Sequence, residues 1–260
     1  MRDSRRRNRN IGTVKQGHGQ NNRMCIPDYL SSKHWLHYTE RLTDHKKFVH
    51  TIQGHEFVFV VEKTRADCYH ACSVADVAFM LAHIPASDYG NLRYIVFRQP
   101  KRKENILSPV WGRWVLRYEF EGERKPAVLL EAFPNCEQLR WPKSLTPEVR
   151  KELERLKKDG LVFVTDKRGY TANLIPETAR ATQLYRTLLH EVGHYVQYRQ
   201  FMGASSSEFA GMSDDELDDY FWDSISKEEK EKFAHGYADR LRDDLLARGL
   251  IPFPSIPDGR

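Results

Sequence analysis

Between Leu188 and Tyr195 the chain reads Leu-Leu-His-Glu-Val-Gly-His-Tyr, and three of these side chains can act on one atom. On a helix, His190 and His194 stand one turn apart and about 40° round from each other. Two imidazoles so placed can share a Zn²⁺ at about 2.0–2.1 Å, leaving positions for a third protein ligand and a water. Glu191 falls about 60° from His194. From there its carboxylate can remove a proton from that water. The chemistry such a trio performs is metal-assisted hydrolysis.

Two histidines do not hold a catalytic zinc alone. One large group of zinc proteases places a third histidine six residues after the second, but here that position is Gln200. The last helix offers a better donor. Ser226 and Glu229 form an S-x-x-E capping box and Gly249 a stop signal, bounding a helix over about 227–248. On it Glu231 shares a face with Ala234, Ala238, Leu241 and Leu245, so its carboxylate is expected to point into packing. A carboxylate there must be paired, protonated or metal-bound. The alanines would let this helix lie close against the histidine helix. Glu231 is therefore the expected third ligand, with His235 as a rival or supporting group and Glu228 a weaker option.

The stretch His190-Glu191-Val192-Gly193-His194, followed after a long interval by Glu231-x-x-Ala234-x-x-Tyr237-Ala238, resembles the minimal gluzincin metallopeptidases of the ImmA/IrrE type. The resemblance covers about residues 180–245. It implies a zincin-like fold, Glu231 as a zinc ligand, and intracellular endopeptidase activity, in some members on transcriptional repressors. Where that family commonly has Asn, this chain has His235. The long interval from His194 to Glu231 implies an inserted segment.

The elements that must position these residues follow from periodicity. Leu184, Leu188, Val192, Tyr195 and Val196 form an apolar stripe, while the histidines and Glu191 lie with Gln183, Arg186, Thr187 and Gln197 on the other side. The pair should therefore face water or a cleft. Gly193 costs ~1 kcal/mol relative to Ala in a helix interior, which points to a close approach by another element. Upstream, the pattern predicts a helix over Pro27–Lys47, a hairpin of Phe48–Ile52 and Glu56–Glu62 around Gln53-Gly54, and a helix from Ser73 to before Pro85. Strands follow at Leu92–Arg98, Val110–Phe120 and Ala127–Ala132, with a turn at Gly122. Ala127–Ala132 is a candidate edge strand for an extended peptide, with an ordinary core strand the equal alternative. Arg98, Lys101, Arg102 and Lys103 read as a solvated basic loop. An inserted helix from Thr146-Pro147 to Asp159 precedes a hairpin, Leu161–Thr165 with Tyr170–Leu174, which is the alternative edge.

The fold class expected is α+β: a zincin-like domain over 73–260, its small, mostly antiparallel sheet packed on the HExxH helix and the Glu-bearing helix. An insertion at about 135–175 interrupts it, a helix-and-hairpin extension over 26–72 precedes it, and residues 1–25 form a disordered basic tail.

Composition bounds the partners. Forty per cent hydrophobic residues suffice for a core, and no 18-residue apolar run suggests a membrane span. No apolar leader stands at the start. Cys25, Cys68, Cys72 and Cys136 follow no ligand or disulfide spacing, so free thiols in a reducing cytoplasm are expected. Of the net charge of +5, residues 1–10 carry +4 through Arg2, Arg5, Arg6, Arg7 and Arg9 against Asp3. The body is near neutral. The tail reads as a solubilising segment, with nucleic acid or an acidic protein as its alternative partner. Residues 201–226 hold seven acidic residues and no Lys or Arg. Within them Ser213 is the expected cap of a short helix through Tyr220–Trp222. The segment reads as a solvated connector, or alternatively as a lid favouring basic peptides or a masking partner for the arginine tail.

The function expected is zinc-dependent cleavage of a protein or peptide, with Glu191 as base and Tyr237, Tyr220 or His235 as helper for the oxyanion. The alternative is a zincin scaffold acting as a regulatory binding module for a protein or DNA.

Overall fold

The run Phe57-Val58-Phe59-Val60-Val61 is apolar at every position, the pattern of a strand covered on both faces. A computed structural model of the protein describes residues 42–101, 110–135, 137–204, 209 and 211–258. It places this run in β2 (His55–Glu62), second in a five-stranded sheet of order β1-β2-β4-β6-β5. The hairpin from β1 (His45–Ile52) turns at Gln53 (φ 49°) and Gly54 (φ 80°), the two positive φ values of a tight primed turn. Strand β2 then lies parallel to β4 (Tyr94–Arg98). Parallel neighbours need a crossover, and α1 (Val74–Leu81) lies on the path between them. Strand β4 is parallel to β6 (Glu123–Glu131), and β6 is antiparallel to β5 (Gly112–Phe120). A short antiparallel pair, β3 (Cys68–Tyr69) and β7 (Phe133–Pro134), stands outside this sheet.

This topology corrects several expectations. The sheet is mixed, with two parallel and two antiparallel joins, rather than mostly antiparallel. The β1–β2 hairpin belongs to it. Ala127–Ala132 does not form an edge: residues 127–130 are fully buried in β6, between β4 and β5. A helix over Pro27–Lys47 fails at its described end, where His45, Lys46 and Lys47 pair with Glu62, Val61 and Val60. The Glu62 carboxylate also accepts both the N–H and the hydroxyl of Thr43 at 2.8 Å. Arg98 is no loop residue. It closes β4, 2% exposed, and donates to Glu131 at 2.7 Å. Residues 1–41, 102–109 and 136, with Cys25, Arg102, Lys103 and Cys136, lie outside the described residues, as does the basic tail. Cys68 and Cys72 are buried free thiols.

Phe57, Phe59, Ile95, Phe97, Val128 and Leu130 point to one face of the sheet and pack on α1 and a long helical run. That run consists of α3 (Pro176–Thr182), a π-turn (Gln183–Leu188) and α4 (Leu189–Ala204). The alternate residues, among them Val58, Val60, Val96 and Leu129, fill a cluster on the other face. The expected insertion is present. Helix α2 (Pro147–Lys158) and a small sheet of order β8-β10-β9, β8 (Glu137–Pro142), β9 (Phe163–Thr165) and β10 (Gly169–Leu174), close over Phe133, Leu156, Leu161, Leu174 and Ala179. Two further helices follow, α5 (Asp214–Ser224) and α6 (Lys227–Ala247). Their N-caps are Ser213 and Ser226, each in a capping box, as the sequence indicates. Among the described residues no helix is long and apolar enough to cross a membrane.

One buried ion pair ties this layer together. Asp76, at 0% exposure on α1, accepts from Arg180 Nη2 at 2.7 Å and Nε at 2.9 Å, and from the Ile256 N–H at 2.9 Å. Burial pushes its carboxyl up, but Arg180 and the Ile256 and Ser73 amides outweigh burial and hold it below the ordinary value. Its contribution is thus present above the unfolded carboxyl pKa and lost as pH falls through the lower folded value. Asp76→Ala strands a buried guanidinium and is expected to lower stability by about 3–5 kcal/mol, read as a lower urea midpoint at pH 7.

Candidate metal centre

Helix α4 begins where the π-turn ends, and the turn decides where its side chains point. A π-turn accommodates an extra residue, so the phase upstream is not the phase downstream. All six residues Gln183–Leu188 are buried in consequence. The uniform 3.6-residue period set Gln183, Arg186 and Thr187 on an open face; the structure instead buries each of them among partners. Gln183 Nε2 donates to the carbonyls of Trp111 and Glu131, both at 3.0 Å, which fixes the helix against β5 and β6. Arg186 Nε donates to Asp159 at 2.9 Å, and its Nη1 pairs with Glu152 on α2.

The close approach expected at Gly193 is there. A Cβ on that residue would stand 3.0 Å from Ala234 Cα and 3.2 Å from Tyr237 Cβ. With only hydrogen at the contact, α4 and α6 touch through backbone. Glu231, one turn before Ala234, is thereby delivered to the histidines.

His190 Nε2 and His194 Nε2 are 3.0 Å apart. Glu231 Oε2 lies 3.3 Å from the first, and Oε1 lies 3.8 Å from the second. Three donors holding a cation at about 2.0–2.1 Å in a tetrahedral shell are spaced roughly 3.3 Å apart, close to what is seen. Two facing imidazole nitrogens need a proton or a cation between them, and the adjacent carboxylate favours either. His190, Glu231 and His235 also form a cluster with donor atoms within 4.8 Å of one another, so a metal ion can be held here. Of the two sets we favour the one with His194. His235 Nε2 faces the Arg155 guanidinium at 3.3 Å, which engages the lone pair a cation would need and places a like charge beside it. Glu228 is exposed and lies outside the cluster. The expectation that Glu231 is buried in packing is corrected: its side chain is 43% exposed and reaches the histidines from the solvent side.

Protonation suits metal binding. The His190 hydrogen bond holds the Glu231 carboxyl well below its usual range. Burial, reinforced by His190, keeps His194 below the ordinary imidazole value. Burial and the charges of His190 and Arg155 hold His235 at about 4. His194 and His235 are therefore neutral at neutral pH.

Glu191 is buried, and its Oε2 accepts the Trp114 N–H at 2.7 Å. Burial pushes its carboxyl up, against the pull of His190 and of that amide. Trp114 lies on β5, the true edge beside the histidines, and among the described residues no strand pairs with its outer side. A bulge between Val115 and Tyr118 re-aims the strand just beyond. The acidic segment is not a solvated connector. Arg117 on β5 pairs with Asp218 at 2.5 Å, and Phe221 and Trp222 of α5 pack around the Trp114 ring. Tyr237 is removed from the chemistry, since its hydroxyl donates to Asp88 at 2.8 Å. Tyr220 stacks with Phe201 and Phe209. Only His235 of the three expected helpers stands at the centre.

Sequence reasoning missed Trp114 and Arg155. A backbone donor leaves no mark in a side-chain pattern, and Arg155 looks like any other charge on α2. Comparison of the chain with protein-family models, with curated proteins and with solved structures finds no match.

Gly193→Val should force α4 and α6 apart, costing about 1–3 kcal/mol and weakening metal binding by isothermal titration. Gly236→Ala, with nothing within 4 Å of the added methyl, should instead stabilise by about 0.5–1 kcal/mol. In the metal-free protein, His194 and His235 bind protons less readily than in the unfolded chain, so the unfolded state gains protons first on acidification. Stability should fall as pH drops from about 6.5, the unfolded imidazole pKa, toward the lower folded values. Urea midpoints across that window check the sign.

Proposed function

We propose that the protein is a zinc-dependent endopeptidase acting on a protein or peptide substrate. The observation that carries this reading is the convergence of His190, His194 and Glu231 at 3.0–3.8 Å beside a buried Glu191 that is itself bonded to a free-edge strand. A structural metal site needs no base and no open strand edge; a peptide hydrolase needs both.

Zinc, held by His190, His194 and Glu231, would supply a Lewis acid for the scissile carbonyl and lower the pKa of a water toward neutrality. Glu191 takes the proton of the attacking water and passes it to the leaving amine. Its carboxyl, raised by burial, is better matched to that double role than an exposed one. The outer edge of β5 offers main-chain groups to an extended peptide, as in strand addition. The Trp114 amide is the pivot, because the group that binds Glu191 belongs to the strand on which the substrate is laid. Arg155, whose guanidinium reaches the centre through His235 Nε2 at 3.3 Å, is the cation placed to help neutralise charge developing on the carbonyl oxygen, with His235 holding it in place. The Arg117–Asp218 pair and the rings around Trp114 hold α5 against the same strand, shaping entry.

Purified protein is expected to bind one zinc per chain by atomic emission, and Glu191→Gln to keep that zinc. Proteome-derived peptides should be cut by the wild type and roughly 10²–10⁴-fold more slowly by Glu191→Gln. Zinc without cleavage by the wild type would turn the assignment to a regulatory binding module, and absence of zinc binding would overturn it.

A further inference from the structure

Trp111, Phe133, Leu139, Trp141 and Leu156, with Glu152 at one wall, enclose a cleft of about 250 Å³. Drug-sized ligands occupy roughly 300–1,000 Å³, so this volume suits one large side chain rather than a whole small molecule. Phe133 and Leu156 are buried, while Trp111, Leu139 and Trp141 keep part of their surface open to the cleft. The lining comes from three places: residues 110–111 just before edge strand β5, residues 132–134 just after β6, and the inserted β8 and α2.

Two independent paths connect the cleft to the metal centre. Along the main chain, Trp111 precedes Trp114 by three residues, which is about 10 Å of strand. Through side chains, His235 meets Arg155 at 3.3 Å, and Arg155 meets Glu152, the cleft wall, at 3.8 Å. The cleft therefore flanks the position where Glu191 acts. Its chemistry is apolar. The one carboxylate on its wall, Glu152, is already paired with Arg186 and Arg155, so it offers no unmet charge to a cationic guest. The Arg140 guanidinium rests on Gln138 Oε1 at 2.7–2.9 Å.

We propose that this cleft is a specificity subsite that receives a bulky apolar or aromatic side chain of the substrate peptide. The proposal rests on the endopeptidase reading for the word substrate, but not for binding itself. A peptide added antiparallel to β5, the more stable pairing, runs toward Trp111 on the C-terminal side of the bond at Glu191. The preferred side chain is thus two to four positions downstream of the cut, by about 3.4 Å per residue. The insertion then supplies selectivity, whereas α4 and α6 supply the chemistry.

The test reads binding and cleavage separately, with Val110→Arg, a rim change at a 37%-exposed residue, and Trp141→Ser as variants. Binding of N-acetylphenylalaninamide against N-acetylserinamide, followed by saturation-transfer NMR, should favour the aromatic amide at least fivefold in wild type and in Glu191→Gln. That preference should vanish in Val110→Arg, which removes no buried group, and in Trp141→Ser. In cleavage-site profiles of proteome-derived peptides, bulky apolar residues should be enriched downstream of the cut and lose at least tenfold of that enrichment in Val110→Arg. Aromatic preference without any cleavage upholds the subsite while removing the hydrolase reading. No preference between the two amides, or one unchanged in both variants, overturns the subsite; so does cleavage by wild type with no downstream apolar enrichment.

Discussion

The contact of Gly193 with Ala234 is the constraint on which the centre depends. Backbones meet there with no side chain between them, and this sets the separation of α4 and α6. Glu231 is half exposed and gets no help from packing; it reaches His190 because the helix that bears it cannot sit farther away. A glycine in a helix interior costs about 1 kcal/mol in propensity. Here that cost is offset by a geometry that no larger residue allows.

The inserted α2 and the residue after it brace α6 and the segment leading into α4. Asp159, just past its end, is buried and receives Arg186 from the π-turn, Thr182 from α3, and Arg242 from α6. Burial pushes its carboxyl up while Arg186 and Arg242 pull the other way. A buried charge cluster of this kind adds little net stability, yet is costly to break from one side. Its effect is to fix relative placement: α3, the π-turn and α6 are all referred to one carboxylate. The insertion thus holds the scaffold and lines the cleft with the same helix, Glu152 facing Arg186 and Leu156 facing the aromatic wall.

Much of the centre was legible because it is local. The spacing of His190 and His194, the helix caps at Ser213 and Ser226, and the close approach at Gly193 depend on a few neighbouring residues and on helix geometry. What depended on distant strands was not legible. Ala127–Ala132 looks like an edge or a core strand equally well, since pairing partners leave no trace in a short apolar run. The sheet came out mixed because β2 and β4 are joined through α1, a fact about topology rather than composition. Arg98 reads as a solvated loop charge in sequence because its partner, Glu131, lies 33 residues away. The helical face of Glu231 points to burial, whereas the side chain is 43% exposed and meets His190 at 3.3 Å.

The π-turn at Gln183–Leu188 carries a consequence for how this helix can change. One additional residue swings all that follows by about 100° about the axis. Everything upstream is therefore moored to α1 and the residue 253–256 strap through Arg180, and everything downstream to β5 and α6. The two halves are levers on a shared joint, each free to drift in sequence under its own neighbours. The aim of the imidazoles is kept by a count of backbone atoms, and substitutions that spare that count leave the bearing of the motif intact.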